Sequence, residues 1–126
     1  MTDDLISEDV REFILRHIHS IAQLEALLLL RKNAGESWLA ETVAQRLYTS
    51  EVEASRVLDR LCADRLLSCK DGLYRFAGQT AESRQMVDRL MEVYAKNLIP
   101  VTNLIHSNPR RLREFSDAFK IRKERS

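Results

Sequence analysis

The sequence predicts a mainly α fold that carries one short β-hairpin near its middle. Three observations predict it. Apolar residues recur at helical spacing over most of the 126 positions. Residues 38–76 hold two short helical patterns separated by Thr49-Ser50. Asp71-Gly72, a strong two-residue turn signal, then lies between two short alternating runs. The length fits one domain with a proper core, and 44% hydrophobic with 31% charged residues is an ordinary globular balance.

The elements follow in order. Ser7 is a good N-cap for a first helix over 8–19, with Glu8 and Asp9 favourable to the helix dipole. Val10, Phe13, Ile14, His17, Ile18 and Ile21 give its stripe. Ser20 and Gln23 fit a second capping box, where the helix breaks or bends. Leu24 and Leu27 to Leu30 are apolar around much of the helix, which predicts a central position with neighbours on more than one side. Asn33 and Gly35 end this segment. Ser37 opens a helix over 39–48, with Leu39, Val43 and Leu47 as its buried stripe. Ser50 and Glu53 fit the S-x-x-E box that starts a helix over 51–64. Its inner face is Ala54, Val57, Leu58, Leu61 and Cys62, and Arg56, Asp59, Arg60 and Ala63 face outward.

The hairpin pairs 66–69 with 73–76. The two-residue turn sets Lys70 opposite Leu73, Cys69 opposite Tyr74, Ser68 opposite Arg75 and Leu67 opposite Phe76. Paired residues share a face, so Leu67, Cys69, Tyr74 and Phe76 point inward and Ser68, Lys70, Leu73 and Arg75 outward. Thr80 caps a long helix over 81–106, which Pro100 kinks or splits. Asn108-Pro109 starts a last helix carrying Leu112, Phe115 and Phe119. The plan is a core at 21–78, flanked by a helix at 8–19 and helices at 80–122.

Composition and motifs exclude several classes. No GxSxG, P-loop, HExxH or paired-cysteine cluster is present, so an enzyme is not expected. His17 and His19 do not share a helix face and His106 stands alone, so neither a metal nor a cofactor is expected. Cys62 and Cys69 both fall on inward faces. Core packing is the favoured account of them, with a redox pair between helix and hairpin as the lesser one. The acidic N-terminus has no apolar signal core, and the longest apolar run, Ala26 to Leu30, is far too short to span a bilayer. A cytoplasmic protein without a membrane partner is expected.

The net charge of +1 hides an asymmetry. Residues 1–60 hold 7 Lys/Arg against 11 Asp/Glu, and residues 61–126 hold 13 against 8. The basic excess sits mainly between Arg110 and Arg125, where a solvated helix face is favoured over a nucleic-acid contact.

Helix, tight turn, helix and hairpin is the order of a winged helix-turn-helix, here a three-helix core with a two-stranded wing. Residues 21–76 resemble that module in bacterial transcription regulators of the MarR and IclR families. Val43-Ala44-Gln45-Arg46-Leu47 match its first helix, Ser50 to Leu61 its recognition helix, and Leu66-Leu67 with Asp71-Gly72-Leu73-Tyr74-Arg75-Phe76 its wing. The stretch from Arg56 to Leu61 looks most like the IclR type. The resemblance implies a regulator that binds double-stranded DNA as a homodimer. Ser55 and Arg56 would reach base edges, with Ser50 and Arg60 beside them and Lys70 and Arg75 on phosphate. As in MarR-like regulators, the terminal helices would pair, through Phe13, Val87, Leu90, Tyr94, Asn97 and Leu98. Charge sets an alternative beside this. Glu51 and Glu53 stand where phosphate would lie and oppose it by repulsion. A protein-interaction module on the same scaffold is the second expectation.

Overall fold

Polar side chains at the corners of the chain decide where its helices start and stop. The computed structural model describes residues 6–78 and 80–107. Among them run, in order, α1 (Glu8–His17), α2 (Ile21–Lys32), α3 (Ala40–Leu47), α4 (Glu51–Ala63), β1 (Leu67–Lys70), β2 (Leu73–Phe76), α5 (Ala81–Lys96) and α6 (Leu98–His106). The fold is mainly helical with a small two-stranded antiparallel sheet. The helix expected from Asn108 and the basic stretch from Arg110 to Arg125 lie outside the described residues.

The first expected helix stops at His17 because Ser20 opens another. Ser20 Oγ accepts a hydrogen bond from Gln23 N–H at 3.1 Å, and the Gln23 amide oxygen accepts one from His19 N–H at 2.9 Å. Gln23 Nε2 donates to the His17 carbonyl at 2.8 Å. The Gln23 side chain is buried, and these bonds supply both ends of its amide with the partners that water cannot give there. The chain turns through 111° between α1 and α2. Ser7 holds the N-cap position of α1, yet its hydroxyl donates to Asp9 Oδ1 at 2.7 Å and caps no backbone N–H.

α2 is central and touches α3, α4, α5 and β2. Leu24, Leu27 and Leu30 are fully buried there. Each such side chain contributes about 1.5–3 kcal/mol by leaving water. α3 begins three residues beyond Ser37 because the sheet takes Trp38. Its N–H donates to the Tyr74 carbonyl at 2.7 Å and its carbonyl accepts from Tyr74 N–H at 2.8 Å. Leu39 is therefore an extended N-cap, 50% exposed, and not the start of a buried stripe. In α4 the Ser50 hydroxyl accepts from Glu53 N–H at 3.1 Å, and Ala54, Val57, Leu58 and Leu61 face the core.

The hairpin register is the one that the turn sets. Asp71 and Gly72 both have positive φ, 54° and 77°, as a type I′ turn requires. Leu67, Tyr74 and Phe76 are buried, but Cys69 is exposed. β1 runs past the edge of the core, so the inward side chain at Cys69 meets the last turn of α4. Cys62, half-buried there, has its sulfur in bonding contact with that of Cys69. The Cα atoms are 6.2 Å apart, within the roughly 4.4–6.8 Å that a disulfide spans. The expected core packing of the two cysteines is thus replaced by a cross-link from helix to hairpin.

The segment over 81–106 is split at Asn97, three residues before Pro100. That placement puts Pro100 in the first turn of α6, where a missing N–H removes no helical bond. Val87 and Leu90 of α5 are fully buried inside the protomer. They belong to its own core, which corrects their expected place in a dimer interface. α5 is also tied by charge. Arg31 on α2 forms a two-pronged pair with Asp88 at 2.7 and 2.8 Å, which holds that carboxyl below its usual range. Arg89 pairs with Asp9 on α1, and with help from Ser7 it lowers the Asp9 carboxyl likewise. Among the described residues no single helix is long and apolar enough to cross a membrane.

Candidate nucleic-acid interface

With its apolar face turned to α2 and α3, α4 leaves an outer strip of Glu51, Val52, Arg56, Asp59 and Arg60, all exposed. Ser55 lies half-buried at its margin, and Ser50 spends its hydroxyl on the helix cap. The Arg56 side chain is 74% exposed, with its guanidinium 3.5 Å from the Glu53 carboxylate. Arg60 reaches His19 Nε2 at 3.3 Å. His17 turns elsewhere, to Asp64 at 3.3 Å, so the two histidines have separate partners. No group of three His, Cys, Asp or Glu among the described residues is arranged to hold a metal ion.

Two links hold the hairpin beside this strip. The Tyr74 hydroxyl donates to Asp59 Oδ1 at 2.6 Å. That bond, then burial and the Asp59 charge, push the Tyr74 phenol up to about 12. One helical turn along α4, Cys62 meets Cys69, the cross-strand neighbour of Tyr74. Lys70 and Arg75 are exposed on the outward face, as the register demands. Together with Ser37, Ser68, Asp71 and Leu73 they border a shallow hollow of about 350 Å³.

Charge divides the surface. α4 brings Glu51, Glu53 and Asp59 against Arg56 and Arg60. The hairpin brings Lys70 and Arg75 against Asp71, and the connection before it adds one charge of each sign, Asp64 and Arg65. Positive potential therefore belongs to the hairpin, and the start of α4 is acidic.

Three exposed residues here escaped the sequence reading. Arg65 stands at the α4–β1 connection with φ of 63°. Val52 is 70% exposed on the first turn of α4. Tyr48 is 97% exposed, has φ of 56°, and closes α3 by donating its N–H to the Ala44 carbonyl. The signal for Tyr48 was present in Leu47-Tyr48-Thr49-Ser50. An aromatic residue between the last apolar position of one helix and the N-cap of the next has no inner face to occupy.

Of the residues expected at a dimer interface, Leu98 is exposed at 52%, next to Ile99 at 65%. Phe13 is half-buried with its ring 4.9 Å from that of His17, and Tyr94 is half-buried with its hydroxyl 3.4 Å from Glu25. Asn97 is half-buried at the α5–α6 junction. No protein-family model matches the chain, and no curated protein is significantly similar to it.

Proposed function

We propose that α2, α3, α4 and the hairpin form a winged helix-turn-helix, and that the protein is a small cytoplasmic DNA-binding regulator acting as a homodimer. α4 is the recognition helix and the hairpin is the wing. The observation that supports this is adjacency: an uncovered polar strip on α4 lies beside a hairpin whose outward face carries Lys70 and Arg75. Arg56 then reads base edges in the major groove, and the wing cations hold phosphate. Tyr48, at the turn between α3 and α4, adds an exposed ring at the same end of the recognition helix.

A salt-series anisotropy titration on duplex DNA tests this. Arg56→Ala weakens preferred-site binding by about 1–3 kcal/mol and relaxes selectivity. Replacing Lys70 and Arg75 together weakens all sequences alike and flattens the salt slope by about two phosphate contacts. Glu51→Gln raises non-specific affinity by removing a repulsion. If neither the wild type nor Glu51→Gln binds duplex DNA at low salt, the regulator reading fails. The second reading, a protein-interaction module, is favoured by the acidic start of α4 and by the exposed pair Tyr48 and Val52.

A further inference from the structure

Cys62 and Cys69 join the last turn of α4 to β1, the first half-buried and the second exposed. The bond would close a short loop, with a sequence separation of 7, between elements that the Tyr74–Asp59 hydrogen bond already joins. Leu61, Leu66 and Leu67 are buried nearby and add apolar packing between the same elements. One partner is exposed, so both oxidant and reductant can reach it. The residues beside the bond are those that the interface uses. Lys70 follows Cys69 in β1, and Arg75 follows its cross-strand neighbour Tyr74 in β2.

We propose that Cys62 and Cys69 form a reversible thiol–disulfide modification site, which takes a hydroperoxide as oxidant and sets the stiffness of the wing. Cys69 is the attacking residue. It is exposed, whereas Cys62 lies in the last turn of α4, where the carbonyl end of the helix opposes a thiolate. The Cys69 thiolate attacks the terminal peroxide oxygen, the O–O bond breaks, and a sulfenic acid and an alkoxide or hydroxide result. The Cys62 sulfur then attacks the sulfenic sulfur. The S–O bond breaks, oxygen leaves as water with the remaining thiol proton, and the disulfide forms. Two thiols lose two electrons and the peroxide gains them. A dithiol reverses the change by exchange at the exposed Cys69 sulfur.

In the reduced protein the outer half of the hairpin is held by its ladder and by Tyr74. In the oxidised protein it is also bonded to α4, so Lys70 and Arg75 lose less freedom on binding. This consequence rests on the DNA-binding reading, and its expected size is roughly a tenfold tighter complex for the oxidised form.

The test starts from fully reduced protein and one equivalent of hydrogen peroxide, read by intact mass, peptide mapping and dimedone trapping. The expected product has the mass of a single chain with an intrachain Cys62–Cys69 bond that dithiothreitol reopens in the native state. Cys62→Ser should accumulate sulfenic acid at Cys69, and Cys69→Ser should leave Cys62 unreacted. Disulfides between chains, or over-oxidation of one cysteine beside a free second thiol, overturn the site. Anisotropy titrations of both redox forms then test the consequence. Equal affinities overturn the regulatory role while leaving the DNA-binding reading intact. Absence of binding in both forms, with the thiol chemistry intact, overturns that reading and the regulatory role with it.

Discussion

Tyr48 shows what a single residue can cost and return. Its φ of 56° is left-handed, a region that costs most side chains about 1–2 kcal/mol, and glycine is the usual occupant at such a helix end. Its ring is 97% exposed and recovers nothing from the core. Tyr48→Gly should therefore stabilise the fold by about 1 kcal/mol while weakening whichever partner the ring meets. Thermal unfolding and a duplex titration on one preparation read both signs, and a drop in stability would refute the strain assignment. Tyr74 is the opposite case, because its hydroxyl is paired. The phenol is raised from 10.0 to about 12 in the folded protein, so its stabilisation is fully present below pH 10 and is lost as pH rises toward about 12. Wild type minus Tyr74→Phe, by denaturant unfolding across that window, should show this slope. A flat difference would mean that Asp59 does not hold the proton.

At the scale of elements, the sequence was legible wherever a local rule governed. Ser50 with Glu53 started α4, and Asp71-Gly72 set the hairpin register residue by residue. It misled wherever a distant partner intervened. Trp38 delayed α3 because Tyr74, 36 residues on, claimed its backbone. Cys69 obeyed the alternation of its strand but met a helix end in place of a core, and strand periodicity cannot show where a core stops. The candidate site was legible in the same measure. Arg56, Lys70 and Arg75 followed from periodicity and register, while Arg65 depended on a backbone dihedral that no spacing rule encodes. The destination of the apolar side chains over 81–106 was not legible: α5 spends Val87 and Leu90 on its own protomer, and α6 leaves Leu98 and Ile99 outside. The proposed homodimer should then be built on α6. Light scattering at micromolar concentration should give a dimer that Leu98→Lys with Ile99→Lys dissociates with the fold intact. A monomeric wild type would end the homodimer proposal.

At the scale of the whole molecule, α1 packs against α5 and α6, and Asp9 pairs with Arg89 across 80 residues of chain. The contacts among α2, α3, α4 and the hairpin close much shorter loops. Loop-closure entropy makes this difference a matter of timing. The inner helices and hairpin should assemble first, and α1 should dock onto the last two helices after the barrier is crossed. Leu58→Ala, in the inner group, should slow folding by most of its destabilisation of about 2–4 kcal/mol. Val10→Ala, in α1, should leave the folding rate nearly unchanged and speed unfolding instead. Stopped-flow chevrons of the two variants would show the order, and a Val10→Ala chevron shifted mainly in its folding arm would reverse it. The same order predicts that, among the described residues, α1 opens more often in the native state than the inner helices. Its amides should exchange with solvent well before those of α4, at a rate that weakening the Asp9–Arg89 pair by salt increases.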